Sequence, residues 1–233
     1  MKNSKFLYIL ILVLCIALTG CGKKNMGTPV QLEKGAGDYV ARISFKDYGT
    51  ITFRLFEDSS KEAVESFVNK AQSGYYEGLS VGTLIEDYCL VIGDLESSST
   101  ASDSKVKIND NYYPYRGALC ITDISDAVDA SRFMIVNSDT EFLKNLEELL
   151  AYKKVTLSEY LDTAYGVKLN ESELQSFYTY GGTPWLYGHA LVFGQVYEGF
   201  EVLDAINRAV TLEDGSYKPE EDIIIESVEV VKQ

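Results

Sequence analysis

Residues 181–206, GGTPWLYGHALVFGQVYEGFEVLDAI, constrain the fold more than any other stretch, because they force the chain from loop to strand to helix within one short run. Gly181-Gly182 closes the polar, helix-like region before it, and Pro184 stops that helix from continuing. Leu191-Val192-Phe193 reads as a short buried strand, with Gly194 marking a bulge or a close backbone approach. After Gly199 the apolar positions Phe200, Val202, Leu203 and Ile206 recur at helical spacing. The same stretch holds the single tryptophan, Trp185, and the single histidine, His189.

The chain upstream has a matching grammar. YVARISF (39–45) and TITFRLF (50–56) alternate around the turn Asp47-Tyr48-Gly49, a β-hairpin signal. Ser59 or Ser60 then caps a helix whose stripe is Ala63, Val64, Phe67, Val68 and Ala71, and Gly74 ends it. Residues 95–115 read as a long surface loop rich in Ser, Asp and Asn. The final strand is expected over residues 223–231. Between these lies a helical block, residues 139–180. Phe142, Leu143, Leu146, Leu149 and Leu150 form one apolar stripe, and Thr156-x-x-Glu159 and Asn170-x-x-Glu173 are capping-box starts for further helices.

The N-terminus has a different character. Lys2 and Lys5 precede an apolar run, Phe6–Leu18, of secretory-signal length and too short for a comfortable membrane span. It ends Leu18-Thr19-Gly20-Cys21, which resembles the bacterial lipobox; the resemblance implies a signal peptide over 1–20 and lipidation of Cys21. An uncleaved anchor is the alternative, and both place the domain on the extracytoplasmic face of a bacterial cell membrane. Residues 21–37, polar and without periodicity, read as a flexible tether to a domain spanning 38–233. Loss of residues 1–20 removes Lys2 and Lys5 and no acid, leaving 19 basic against 35 acidic residues. That balance offers no basic stripe for nucleic acid and no electrostatic docking on anionic lipid. One histidine and no CxxC argue against a metal site, and Cys89 and Cys120 stand either as small buried thiols or as one disulfide.

Five motifs in order resemble the cyclophilin-type peptidyl-prolyl isomerases: GTITFRLFED with AVESFVNKA, GYYEG (74–78), RGALCI (116–121), ASRFMIV (130–136) and the WLYGHALVFGQVYEG run. The resemblance implies a mainly β fold with helices, a closed eight-stranded barrel capped by two helices. The block 139–180 is then a helical insertion, either shaping a peptide site, docking a protein partner or filling a shallow surface. It also implies an isomerase acting on proline-containing peptides or exported proteins, assisting their folding, with no cofactor.

Carried over position by position, the site is altered. The arginine of the family's F-H-R motif falls on Thr83, and a neutral hydroxyl cannot do the work of a guanidinium. The substrate-binding positions fall on Tyr88, Cys89, Val91, Thr122, Asp123, Met134, Trp185 and Leu186, and the family's histidine falls on Ala190 beside His189. Arg132 replaces a glutamine; it either supplies the missing cation from the neighbouring strand or pairs with an acid such as Asp123. His189 reads as a polar loop residue, since isomerisation transfers no proton. The alternative to an enzyme is a catalytically inactive proline-peptide binding or scaffold module.

Overall fold

The computed structural model describes residues 27–33, 35, 37–93, 107–122, 128–213 and 215–233. The expected leader, Cys21 and Asp123 lie outside the described residues. The described chain runs β1 (Tyr39–Phe45), β2 (Gly49–Leu55), α1 (Lys61–Gln72), β3 (Val81–Ile85), β4 (Cys89–Ile92), β5 (Ala118–Ile121) and β6 (Phe133–Val136). It continues through α2 (Thr140–Tyr152), α3 (Leu157–Tyr165), α4 (Glu171–Tyr180), β7 (Leu191–Glu198), α5 (Phe200–Asn207) and β8 (Ile225–Lys232).

The eight strands form one antiparallel sheet in the order β3-β4-β6-β5-β7-β2-β1-β8. The sheet curves into a half-barrel. Its edge segments are joined by the Ser80–Ile224 bridge and by the hydrogen bonds Gly78 N–H to Ile225 O at 2.9 Å, Ile225 N–H to Leu79 O at 2.8 Å and Val81 N–H to Ile223 O at 2.9 Å. Beyond these the register of β3 shifts between Val81 and Thr83, and the Leu84 N–H turns to the Tyr217 carbonyl instead of to β8. Alternation puts Leu84, Leu90, Ile92, Leu119, Phe133 and Ile135 on the concave side. There they meet the stripes Ala63, Val64, Phe67, Val68, Ala71 of α1 and Val202, Leu203, Ile206 of α5. Each such side chain taken fully out of water contributes about 1.5–3 kcal/mol. Phe67 touches Tyr76, Phe133 and Phe193, and the buried Tyr76 hydroxyl donates to the Ala130 carbonyl at 2.7 Å, fixing the chain just ahead of β6.

The caps read from sequence are made. The Ser60 side chain accepts from Ala63 N–H, and Thr156 with Glu159 and Asn170 with Glu173 close full capping boxes. Gly181 ends α4, and β7 runs through Glu198, past the short strand expected. Phe193 lies in the bulge opposite Leu119/Cys120, and a Cβ on Gly194 would sit 2.8 Å from Leu119, so that position is both bulge and close approach.

Three expectations need correction. The stripe of α2 is only partly buried: Leu143 and Leu150 are inside, whereas Leu149 is 55% exposed. The supposed surface loop carries Tyr112, Tyr113 and Tyr115 inward, where Tyr113 and Tyr115 stack between the sheet and Phe177 of α4. Within the stretch expected to be a tether, Val30–Leu32 makes a 3-10 turn and Gln31 is buried. The Gln31 side chain donates to the Tyr113 carbonyl and Gln195 Oε1, each 2.9 Å, and accepts from Tyr113 N–H at 2.7 Å. A side-chain amide matched on both its donor and acceptor holds this segment to the domain.

Candidate functional site

The convex side of β3, β4, β6, β5 and β7 carries the residues singled out from sequence. Strand register aligns them: Thr83 faces Val91, Val91 faces Met134, Met134 faces Cys120, and Cys120 faces Val192. Because alternate side chains share a face, this row and its neighbours Cys89, Val136 and Ala118 form a second apolar layer, outside the core. Met134 lies buried within this layer, and Ile85, Tyr88, Val91 and Leu186 pack against the layer as partly buried neighbours. Ala190 lies buried in this layer where the family pattern has a histidine, so the hollow is more apolar than that pattern.

Tyr88 is placed by its backbone. The β3–β4 turn puts Asp87 in the left-handed region, φ 54°, and Asn207 at the end of α5 bonds both its N–H and its carboxylate at 3.0 Å. The Tyr88 carbonyl accepts from Asn137 N–H at 2.8 Å. Burial raises the Tyr88 phenol above its ordinary value, and a hydrogen bond with Trp185 opposes the rise.

Trp185 sits in the 3-10 turn Pro184–Leu186, delivered by Gly181-Gly182. Gly182, φ 110°, passes so close to Pro114–Tyr115 that a Cβ would fall 2.3 Å from the Pro114 carbonyl oxygen. Trp185 meets the hollow only along its Tyr88 edge, with centroids 5.8 Å apart. Its other ring contacts are Phe142 of α2 at 6.0 Å and Tyr165 of α3 at 6.4 Å. A cleft of about 540 Å³ lies here, lined by Ile85, Tyr88, Phe142, Tyr165, Trp185 and Leu186, with Glu86 and His189. Phe142 and Tyr165 as cleft residues were missed by sequence reasoning. Phe142 looked like one more member of a buried stripe, and nothing in the sequence ties Tyr165 to Trp185.

Arg132 directly precedes β6, two residues before Met134, and so belongs to the convex side. The backbones at Gly93 and Arg132 approach closely; a Cβ on Gly93 would lie 3.0 Å from Arg132 Cα. Among the described residues no hydrogen bond or ion pair engages its guanidinium, and the expected partner Asp123 lies outside them. Burial pushes the Cys89 thiol up to about 12, and the charge of Arg132 pulls it the other way. Thr83 is half-buried at the edge of the row and Thr122 is exposed past the end of β5. Cys89 and Cys120 are free, buried thiols on the two strands flanking β6, opposite Val136 and Met134. The His189 ring is engaged with the Tyr165 carbonyl at 2.9 Å, a tie between the loop and the end of α3. Arg116, of the RGALCI motif, pairs with Asp204 and donates to Asn137 Oδ1, away from the hollow. No group of three or more metal-ligating side chains occurs among the described residues.

A curved eight-stranded antiparallel sheet with helices on its concave side, and on its convex side an apolar layer beside an aromatic-lined cleft, defines a cyclophilin-like fold. Residues 40–230 match the family model for cyclophilin-type peptidyl-prolyl cis-trans isomerases, and the chain belongs to that family. It is 28% identical over 208 residues to a Staphylococcus haemolyticus protein provisionally named a peptidyl-prolyl cis-trans isomerase, covering 86% of this chain and 96% of that one. A Staphylococcus aureus protein with the same provisional name is 31% identical over 189 residues, covering 78% of this chain and 87% of the other. Among solved structures, a Cryptosporidium parvum cyclophilin-type isomerase crystallised in the presence of the dipeptide Ala-Pro superimposes with a TM-score of 0.53 at 19% identity. That match covers 83% of this chain and 99% of the other, and it concerns the fold.

Proposed function

We propose that this chain isomerises X-Pro bonds in exported proteins from the outer surface of a bacterial membrane, held there by lipid on Cys21. The reaction needs no nucleophile and no cofactor. Rotation about the amide faces roughly 18–20 kcal/mol because of C–N double-bond character. Lowering that barrier takes an apolar seat for the pyrrolidine ring and a donor aimed at the prolyl nitrogen, which localises its lone pair. Met134, with Tyr88 and Leu186 beside it, is the seat; Arg132, on the same face as that seat, is the donor that Thr83 cannot be. The observation that carries this reading is the place of Arg132, two residues before Met134 and directly ahead of β6, with its guanidinium engaged by no hydrogen bond or ion pair among the described residues. The Ala-Pro dipeptide named with the Cryptosporidium parvum cyclophilin supports the choice of ligand. The three helices over 140–180 are, on this reading, an insertion relative to small family members.

A protease-coupled assay on a prolyl tetrapeptide tests the assignment. Arg132→Ala should lower kcat/KM by about 10²-fold, the scale for losing one preorganised donor, while peptide binding measured by Trp185 fluorescence persists. Unchanged turnover in that variant removes Arg132 from the mechanism. Cys21→Ala should move the protein from the membrane fraction to the soluble one; continued membrane association refutes the lipid anchor. One observation favours a second reading: with Thr83 at the family's arginine position, a binding module without turnover is the outcome if the wild type captures proline peptides but leaves the isomerisation rate at its uncatalysed value.

A further inference from the structure

We infer that the cleft between the β3–β4 turn and helices α2 and α3 is a separate subsite for an aromatic side chain next to the proline, and that Phe142 and Tyr165 set that selectivity. This rests on proline peptides binding in the adjoining hollow. Tyr88 and Leu186 belong to both places: they pack against the apolar layer that holds Met134 and they line the cleft. A chain seated on Met134 is therefore carried over the cleft by its next residues.

The lining determines what fits. Tyr88, Phe142 and Tyr165 gather around Trp185 at centroid distances of 5.8, 6.0 and 6.4 Å, spacings at which aromatic rings attract beyond simple burial. They are not spent on the core, since Tyr165 stays 40% exposed and Trp185 and Phe142 are half-buried. Their positions are fixed from behind. Asp139 caps α2 by accepting from the Phe142 N–H at 2.9 Å, and the Tyr165 carbonyl is held by His189. The cleft is about 540 Å³, ample for one aromatic side chain. Charge gives the second selection rule. Glu86 is the one carboxylate lining the cleft, no lysine or arginine lines it, and the chain carries a net charge of −14. Acidic flanking residues are repelled.

Because Trp185 is the only tryptophan, its fluorescence reads the cleft directly. Full-length protein is titrated with proline peptides that differ only in carrying Phe, Ala or Glu immediately before or after the proline. Phe peptides should bind about three- to tenfold tighter than Ala peptides, the range of one aromatic contact, and Glu peptides weakest. Phe142→Ala combined with Tyr165→Ala should bring the Phe-to-Ala ratio to about one, within the same energy range, without weakening the Ala peptide. Phe142→Leu, which keeps the packing volume and removes the ring, should lower the ratio part of the way. A ratio preserved in the double variant overturns the subsite and leaves the isomerase reading intact. A ratio that collapses in a protein without turnover supports the subsite and overturns the isomerase reading.

Discussion

Replacing Gly182 by alanine perturbs the point at which the helical block is joined to the sheet and to Trp185. At φ 110° the residue lies where side chains are strained, which costs about 1–3 kcal/mol. The new methyl would also meet Pro114 O at 2.3 Å, Tyr115 Cα at 2.5 Å and Tyr115 C at 2.9 Å. These are backbone atoms of a packed segment, held by Thr183 N–H to the Pro114 carbonyl at 2.9 Å and Gly182 N–H to the Ser138 carbonyl at 2.8 Å. Relief requires moving that backbone, a further 1–3 kcal/mol or so by analogy with overpacked cores. Together the loss is about 4 kcal/mol, a large share of the roughly 5–15 kcal/mol that holds a typical domain folded. With a urea m-value of about 2 kcal/mol per M, the midpoint falls by about 2 M. Gly188 is the internal control. Its φ is 74° and a Cβ there would meet nothing within 4 Å, so Gly188→Ala should lose only the left-handed penalty, about 1–2 kcal/mol. Equal midpoints for the two variants, or a Gly182→Ala loss under about 1 kcal/mol, would show that the close approach carries no energy and refute the argument.

Burial raises the Cys89 thiol from the ordinary 9.0 to about 12, and burial also lifts Cys120, Tyr76, Tyr113 and Tyr115. The folded state keeps protons that the unfolded chain releases, so stability is fully present below about pH 9 and drains away as pH rises toward 12. Urea midpoints at pH 7, 9 and 10.5 should fall in that order, and a flat series contradicts it. Gln31→Ala leaves the Tyr113 N–H without its acceptor and Gln195 Oε1 without the Gln31 donor, and should cost about 1–3 kcal/mol. Hydrogen exchange should then accelerate at Tyr113, and an unchanged exchange rate there would mean that the 30–32 turn is not an anchor.

The hairpin, α1, the two capping boxes and the β7–α5 run were legible because each rests on local rules: alternation, a side-chain oxygen facing an N-terminal N–H, a glycine at a turn. How the two edges of the sheet approach each other was not legible locally: residues 78–81 bond Ile223 and Ile225, and the Leu84 N–H bonds the Tyr217 carbonyl, all partners far along the chain with no local signature. Tyr112 to Tyr115 were misplaced for a related reason. Ser, Asp and Asn dominate the region before them, and only distant partners bury the rings: Phe56 for Tyr112, and Phe177 with Leu143 for Tyr113 and Tyr115.

The site divides along the same line. The aligned row Thr83, Val91, Met134, Cys120 and Val192 could be found position by position, because strand alternation preserves which residues share a face even when their chemistry changes. Trp185 could not be fully assigned in this way, since two of its three ring contacts among the described residues, Phe142 and Tyr165, come from α2 and α3, which no local signal ties to it. On the proposed mechanism Arg132, two residues before Met134, would stand in for the cation missing at Thr83, whereas Phe142 and Tyr165 would hold only the side chain next to the proline. Loss of turnover in Arg132→Ala and loss of aromatic preference in the Phe142/Tyr165 double variant should therefore be separable. The first acts on the barrier, and the second on ground-state and transition-state binding alike.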